Sequence, residues 1–324
     1  MTFQDGYIRW IRQHIGHELI YLVYTSILVF NEAQELLVIE RPDFSWLGVP
    51  GGALELGESI SACAHREVLE ETGVHAEITG FLGVFSHPQY ELHYPNGDRV
   101  QPWTVGLVAK TTDQVGALDQ KEITKASFRP IDEVYSQLFI QYQHMIDAYR
   151  SPRGYAIEEV FSLPTVQPYF PLLREKVGHA PLILPGTSMV VYDDKGYALA
   201  VRKKGTRRWR FPAGFSDIGE SSSATAVREM KEETGLDIEP VDVIGIYSDP
   251  TVTQKKIPNG DQFQIVDYVL ECQVIGGELR IDDNEIDGIQ YMALDDLLAQ
   301  PDNSTHFQRI LLDVINRHNR PFIR

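Results

Sequence analysis

The segment from Gly52 to Val74 reads GALELGESISACAHREVLEETGV, and a matching segment, GFSDIGESSSATAVREMKEETGL, runs from Gly214 to Leu236, 162 positions later. Each copy has a glycine, a glutamate, an Arg-Glu pair, a Glu-Glu pair and a closing glycine at identical spacings. We interpret each copy as a loop that leads into a carboxylate-rich helix. Two copies in a chain of 324 residues predict two domains.

The carboxylates of each copy share one helix face. Positions i, i+3 and i+4 of that face are held by Glu67, Glu70 and Glu71 in the first copy and by Glu229, Glu232 and Glu233 in the second. Like charges at this spacing repel, and a divalent cation bound by clustered carboxylate oxygens would reverse that repulsion. A solvated acidic face is the alternative, but it does not explain the glycine, the upstream glutamate and the arginine at fixed, repeated offsets.

The residues around these carboxylates also suit a helix packed on a sheet. Ser59 is placed to cap the first helix and Gly73 to close it. Ala64 and Val68 form a narrow apolar stripe, and Arg66 can reach Glu70 one turn later. The second copy repeats these features with Ser221, Gly235, Ala226, Met230 and Arg228.

Both segments resemble the Nudix box, glycine-x5-Glu-x7-Arg-Glu-apolar-x-Glu-Glu-x-Gly-apolar, at every signature position. The resemblance extends to nearly all of both halves, so the chain is similar to a tandem Nudix hydrolase. It implies an α/β fold of two α/β/α sandwiches with mixed central sheets. It also implies hydrolysis of diphosphate linkages in nucleoside diphosphates joined to another group, with Mg2+ or Mn2+ as the cofactor.

The same resemblance assigns roles to individual residues. The glutamates of the two helix faces would bind the metal, together with backbone carbonyls at Gly52 and Gly214. One glutamate would accept a proton from the attacking water, while others would assist and the arginines would orient. These further catalytic candidates are Glu58, Arg66 and Glu122 in the first half, and Glu220, Arg228 and Glu285 in the second.

The loops ahead of the two helices differ. The second is strongly basic, with Arg202, Lys203, Lys204, Arg207, Arg208 and Arg210, whereas the first offers Arg41. In a chain of net charge −17, a basic cluster beside a phosphate site is consistent with a polyphosphate clamp, and a solvated loop is the alternative. Trp46 and Trp209 lie in the same loops, where base stacking and packing under a lid are both open interpretations.

Composition limits the partners. The net charge of −17 opposes binding to nucleic acid and to anionic membranes. Cys63 and Cys272 lie one in each half, which argues against a disulfide framework. The first residues lack a signal-peptide pattern, and the longest apolar stretch, 19–30, is too short to cross a bilayer. We therefore expect a cytoplasmic protein. The resemblance to the Nudix family, whose members often dimerise, leaves open whether the repeats pair as an internal pseudo-dimer or the whole chain forms a homodimer.

Hydrophobic periodicity predicts the remaining organisation. The first domain is expected over 1–149, a proline-rich linker over 150–172 and the second domain over 173–324. Helices are predicted at 5–15, 131–149 and 304–318, and strands at 20–30, 35–41, 103–110, 182–192, 197–203 and 263–274.

The substrate and the number of working sites stay open at this stage. In the family a proline near the positions of Pro88 and Pro250 accompanies ADP-ribose-type substrates, although a proline that starts a loop is an equally good interpretation. One domain could also serve as a ligand sensor or pairing scaffold. The divergent loops favour that second possibility, and the complete carboxylate sets disfavour it.

Overall fold

The computed structural model describes residues 6–118, 122–281 and 286–324, and within them the two halves repeat one order of elements. The first half contains α1 (Tyr7–Ile15), β1 (Ile20–Phe30), β2 (Leu36–Glu40), β3 (Leu47–Gly48), β4 (Gly51–Ala53), α2 (Ile60–Thr72), β5 (Glu77–Phe85), β6 (Leu92–His93), β7 (Arg99–Lys110), β8 (Lys125–Arg129), α3 (Ile131–Val134) and α4 (Ile140–Arg150). The strand β9 (Ser162–Gln167) follows. The second half contains α5 (Tyr169–Val177), β10 (Leu182–Val191), β11 (Ala198–Lys203), β12 (Trp209–Arg210), β13 (Ala213–Phe215), β14 (Ile218–Glu220), α6 (Ser222–Thr234), β15 (Leu236–Tyr247), α7 (Pro250–Thr253), β16 (Gln254–Lys256), β17 (Gln262–Gly277), β18 (Ile286–Met292), α8 (Leu294–Leu298), α9 (Thr305–Ile315) and β19 (Phe322–Ile323).

The sheets are mixed in both halves. In the first half β1 and β7 run parallel from Ile20↔Val100 to Phe30↔Lys110, and antiparallel strands extend the sheet in the order β3-β2-β1-β7-β5. In the second half β10 and β17 form the equivalent parallel pair, the strand order is β13-β10-β17-β15-β19, and the short β19 also runs parallel to β15. There β11, β12 and β18 form a separate three-stranded sheet, and β9 pairs with β14. The central strands are buried along nearly their whole length, which is typical of strands covered on both faces.

Helices cover the two faces of each sheet. In the first half α2 packs Cys63, Ala64 and Val68 on one face, and α4 packs Met145 and Ile146 on the other. In the second half α6 and α9 take the same places. The core under α2 and α6 is continuous between the halves. Each half is therefore an α/β/α sandwich with a mixed sheet, as predicted, and the two sandwiches share the core under α2 and α6.

The two carboxylate-rich helices begin and end as their sequences predict. The Ser59 hydroxyl accepts a hydrogen bond from the backbone N–H of Ala62 at 3.2 Å, and Gly73 closes α2 in the left-handed conformation with φ 67°. Ser221 and Gly235 do the same for α6, with φ 76° at the glycine. Only glycine adopts this closing conformation without steric cost, so the glycine fixes the last turn of the helix.

One predicted helix differs from the structure, and the segment predicted as a linker contains regular elements. The helix predicted over 131–149 is interrupted, because Leu138 and Phe139 adopt extended backbone and Phe139 donates a hydrogen bond to the Leu47 carbonyl on β3. The segment 150–172 contains β9 and the start of α5, so much of it has regular structure. Within the described ranges no helix is long and apolar enough to cross a membrane.

Candidate active sites

The most buried carboxylate of the first site is Glu71, which is 3% exposed. Its oxygens accept hydrogen bonds from the backbone N–H of Gly51 at 2.9 Å and from Arg41 Nη1 at 3.3 Å. Burial raises the pKa of Glu71 to about 8, although the Gly51 N–H and the Arg41 charge oppose that rise. The Glu71 carboxyl group is thus held in one orientation and largely shielded from water. In such surroundings a carboxylate attracts a neighbouring cation more strongly than it does in water.

Glu67 lies directly over Gly52. A Cβ atom added at Gly52 would stand 2.3 Å from the Glu67 carboxylate, so the glycine leaves beside this carboxylate a space that any other residue would fill. Burial also raises the pKa of Glu67, against the influence of Arg66. Glycine is therefore needed at this position of the repeated segment for a steric reason.

Arg66 connects the remaining carboxylates. Its Nε and Nη2 atoms donate to Glu58 at 2.8 and 2.9 Å, while Nη1 donates to Glu67 at 2.6 Å and to Glu70 at 3.3 Å. A fifth bond, from Nη2 to the Ala53 carbonyl at 3.2 Å, fixes the guanidinium against the loop. The predicted pair between Arg66 and Glu70 is present, and Glu70 is the exposed member of the set.

We call the set formed by Glu58, Arg66, Glu67, Glu70 and Glu71 the frame of the first site. The second site repeats this frame. Arg228 donates to Glu220 at 2.7 and 3.0 Å, to Glu229 at 2.8 Å and to Glu232 at 3.2 Å. Glu233 accepts from the backbone N–H of Ala213 at 3.2 Å. A Cβ at Gly214 would stand 1.8 Å from the Glu229 carboxyl carbon, and burial raises the pKa of Glu229 to about 7. The two frames therefore have the same construction.

The frames fit a divalent cation in donor chemistry. Among the residues that the structure describes, no three Asp, Glu, His or Cys side chains form a ready-made metal site, and Arg66 stands between Glu67 and Glu70 instead. All the donors are carboxylate or carbonyl oxygens, the ligands that Mg2+ prefers. Because Gly52 has no Cβ, the Glu67 carboxylate can lie directly against the backbone of the loop that precedes α2.

The basic loop of the second half divides into residues at the frame and residues away from it. Arg210 pairs with Glu233 and donates to the Phe211 carbonyl at 3.1 Å, so it has the role that Arg41 has in the first site. Arg202 instead pairs with Asp287 at 2.6 Å and lies over the ring of Trp209. Arg207 and Arg208 are exposed. Sequence analysis placed Arg210 in the basic cluster but did not predict its contact with Glu233, because position 210 matches Gly48 in the first half, whereas Arg41 directly follows β2.

The other predicted residues lie in mixed positions. Glu122 is exposed and stands 3.7 Å from Arg41, so it belongs to the rim of the first site. Its counterpart Glu285 lies outside the described residues. Trp46 stacks on Phe44 and Phe139 with ring centroids 4.4 and 4.9 Å apart, a placement that favours the packing interpretation.

A cavity of about 340 Å³ opens beside the first frame. Tyr24 and Tyr94 line it, with their hydroxyl groups 3.4 Å apart, and so do Arg12 and Arg41. Its volume is within the range of small-molecule sites. Sequence reasoning missed both tyrosines, because Tyr24 lies in an apolar strand and looks like a core residue, whereas Tyr94 begins the YPNGD turn and looks like a loop residue. A comparison of the repeats could have singled out Tyr24, which matches Gly186.

We call the non-frame side chains that line this cavity, and their counterparts in the second half, the wall of each site. The wall of the second site is aromatic. Phe170, Phe215 and Phe263 stand where the first half has Ile8, Ala53 and Val100, all three of which line the cavity. The ring centroids of the three phenylalanines lie 5.6 to 6.0 Å apart, so the rings contact one another. The two sites thus combine one frame with different walls.

The family model described as the NUDIX domain matches residues 21–149 and again residues 183–313. The chain belongs to the Nudix family. Each match contains one complete frame, so the frames of both sites are those of Nudix domains.

Individual relatives share shorter stretches with this Nudix protein. Nudix hydrolase 5 of Arabidopsis thaliana is 33% identical over 129 residues, 40% of this chain and 39% of the relative. An ADP-ribose pyrophosphatase of Methanocaldococcus jannaschii is 36% identical over 97 residues, 29% of this chain and 53% of the relative. A solved ADP-ribose pyrophosphatase of Streptococcus suis aligns with a TM-score of 0.33 at 23% identity, over 42% of this chain and 94% of that one. The chain thus spans about half the length, or less, of these curated relatives.

Proposed function

We propose that this protein hydrolyses diphosphate linkages in nucleoside-diphosphate-linked small molecules and releases a nucleoside monophosphate. The observation that carries the proposal is the complete frame in both halves. One arginine contacts an upstream glutamate, a glutamate over a bare glycine and an exposed glutamate, and a buried glutamate accepts a hydrogen bond from the backbone of the preceding loop. The ADP-ribose pyrophosphatase among the relatives supports a substrate of ADP-ribose or nucleotide-sugar type. The net charge of −17 supports a small substrate and not nucleic acid.

The residues of the first frame divide the work. Glu67, Glu70 and Glu71, with the carbonyl at Gly52, would hold Mg2+ or Mn2+. The bound cation would neutralise phosphate oxygens and lower the pKa of a water molecule. Glu58 fixes Arg66, and Arg66 in turn fixes Glu67 and Glu70.

Proton transfer requires a carboxylate that solvent can reach. Glu70 and Glu122 are the exposed carboxylates of the first site, and either one would accept the proton of the attacking water. Attack at phosphorus would then break the diphosphate linkage, with the leaving phosphate carrying the negative charge. Arg41 and Arg12 in the cavity wall would balance the charge of the polyphosphate.

The test is a product screen with Mg2+ or Mn2+ on wild type, Glu71→Gln, Glu233→Gln and the double variant. ADP-ribose, nucleoside-diphosphate sugars, CDP-alcohols, dinucleotides and nucleoside triphosphates would be offered in turn. We expect each single variant to lose about three orders of magnitude at its own site, roughly 4 kcal/mol of transition-state stabilisation. A near-normal rate in the double variant would overturn the assignment.

A second candidate function is that the second domain binds a ligand without hydrolysing it. The contacting phenylalanines in the wall of its site favour this alternative, because they occupy positions that line a cavity in the first half. In that case Glu233→Gln would have no effect on any substrate of the panel. Ligand-induced shifts in the melting temperature of wild type would then identify what the second domain binds.

A further inference from the structure

Two buried glutamines cross between the halves in opposite directions. Gln264 on β17 accepts a hydrogen bond from the backbone N–H of Gly57 at 2.8 Å and donates to the Glu58 carbonyl at 2.7 Å. It is fully buried. It therefore holds the loop that carries Glu58 in the first site, although it belongs to the second half.

Gln101 on β7 makes the mirrored contacts. It accepts from the backbone N–H of Gly219 at 2.9 Å and donates to the Glu220 carbonyl at 3.0 Å. Gln101 and Gln264 are 163 positions apart, the offset that relates the later strands of the two repeats. The exchange is thus reciprocal, because each half supplies a glutamine at the equivalent position to the equivalent loop of the other half.

Two serines reinforce the exchange at the start of each helix. The Ser248 hydroxyl accepts from the backbone N–H of Ile60, the first residue of α2, at 2.9 Å. The Ser86 hydroxyl accepts from the N–H of Ser222, the first residue of α6, at 2.7 Å. The first N–H groups of a helix have no partner within it, so each half satisfies a donor at the helix of the other half.

The pinned loop connects directly to the frame. The carbonyl and the carboxylate of Glu58 belong to one residue, and the carboxylate accepts two hydrogen bonds from Arg66. Arg66 then contacts Glu67 and Glu70. A displacement of the loop therefore moves the arginine and, through it, two of the proposed metal ligands.

We infer that Gln264 is a positioning residue for the first site and Gln101 a positioning residue for the second. Each site thus depends on a side chain of the other domain. The inference rests on the proposed function for its activity readout, whereas its structural part can be measured without any substrate.

We call the hydrogen bonds from Gln264 and Gln101 to the loop of the opposite half the two tethers. The loop that Gln101 holds has further contacts that fix it in place. The Glu220 carbonyl also accepts from the Tyr21 hydroxyl at 2.5 Å, and β9 pairs with the same loop from Ile218 to Glu220. The position of Tyr21 is Ile183 in the second half, which has no hydroxyl group. We therefore expect the first site to be more sensitive to loss of Gln264 than the second site is to loss of Gln101.

The activity experiment uses Gln264→Leu and Gln101→Leu, each placed in Glu233→Gln, which retains the first site, and in Glu71→Gln, which retains the second. Gln264→Leu should lower kcat/KM of the first site about tenfold and raise the Mn2+ concentration for half-activity there. It should leave kcat/KM of the second site within twofold of the parent value. Gln101→Leu should lower kcat/KM of the second site about threefold and leave kcat/KM of the first site unchanged. Loss confined to the domain that carries the substitution would overturn the inference.

Hydrogen–deuterium exchange tests the same inference on the full chain without substrate. Gln264→Leu should accelerate exchange at Gly57 and Ile60 but not at Gly219 and Ser222, and Gln101→Leu should do the reverse. The matched control is Gln141→Leu, because Gln141 is also buried, and its amide donates to the Phe85 carbonyl and to the Thr104 hydroxyl of its own half.

The outcomes separate the two proposals. If wild type hydrolyses nothing, the proposed function fails, and the exchange pattern alone then tests the cross-domain tether. Unchanged exchange at the opposite loop overturns the tether. Faster exchange with an unchanged rate and unchanged Mn2+ dependence at that site overturns the positioning role, because the contact would then serve the fold only.

Discussion

The two sites agree in their frames, and one cross-strand pair shows most directly how their walls differ. In the first half Tyr24 on β1 faces Ala53 on β4. In the second half the equivalent pair is Gly186 on β10 and Phe215 on β13. The large and the small member have exchanged strands. Total side-chain volume is roughly kept, while the aromatic ring moves from one side of the site to the other.

This difference separates chemistry from specificity. The frame contacts match between the halves because the same reaction would need the same oxygen donors and the same arginine. The wall is free to change, since its side chains decide only which group beside the diphosphate can enter. A duplicated chain with one frame and two walls is expected to accept two different ligands.

The largest effect is expected when the tyrosine–alanine pair of the first half is replaced by the glycine–phenylalanine pair of the second half. Tyr24→Gly with Ala53→Phe, in the Glu233→Gln background, should lower kcat/KM of the first site on its best substrate about 100-fold. The reason is that a phenylalanine at 53 would occupy the cavity of about 340 Å³. The measurement is steady-state kinetics across the substrate panel, together with the melting temperature.

The control for this exchange is the same pair of substitutions in the Glu71→Gln background, where only the second site works. That site should keep its rate, which shows that the chain is still folded. A first site that keeps both its rate and its substrate preference would contradict the role of the wall.

The next experiment tests whether the frames are equivalent. Gly52→Ala and Gly214→Ala would each place a Cβ within 2.3 Å of a carboxylate, Glu67 or Glu229. The glutamate must shift, and because it is the far end of a flexible side chain the fold should lose little stability. We expect the Mn2+ concentration for half-activity to rise roughly tenfold at the affected site, about 1.4 kcal/mol of binding free energy.

Gly80→Ala is the matched control for these alanines. A Cβ at Gly80 would meet Val108 at 3.8 Å, an ordinary contact, so metal dependence should stay unchanged. The closer approach at Gly214 predicts the larger effect at the second site. Equal Mn2+ dependence in wild type and in both glycine variants would contradict the proposed place of the cation.

The frame could be predicted from the sequence, whereas the wall could not. Glu67, Glu70, Glu71 and Arg66 follow one another on a single helix, so sequence spacing fixes their relation. The repeat doubled that signal. By contrast, Tyr24 meets Ala53 through the register of two strands, and hydrophobic periodicity does not define register.

Contacts between distant elements were missed for the same physical reason. Arg41 and Arg210 reach equivalent glutamates from strands that do not correspond in the repeat, so no sequence offset relates them. Gln101 and Gln264 reach the opposite domain, and their role appears only once the halves are packed. The break in the helix predicted over 131–149 likewise depends on the pairing of Phe139 with Leu47.

The smallest expected effect concerns the charge difference between the two loops. Arg207 and Arg208 are exposed, and the first half has no equivalent cluster. Neutralising both to glutamine should raise the KM of the second site about threefold with little change in kcat, because exposed charges attract a polyphosphate but are strongly screened by salt. Kinetics at low and at physiological ionic strength in the Glu71→Gln background measure this, and the effect should shrink as salt rises. Lys195→Gln, at the far end of β11 in an exposed turn, is the control for a lost positive charge. A KM equal to that of the parent at low salt would show that the loop is merely solvated and that the wall alone distinguishes the two sites.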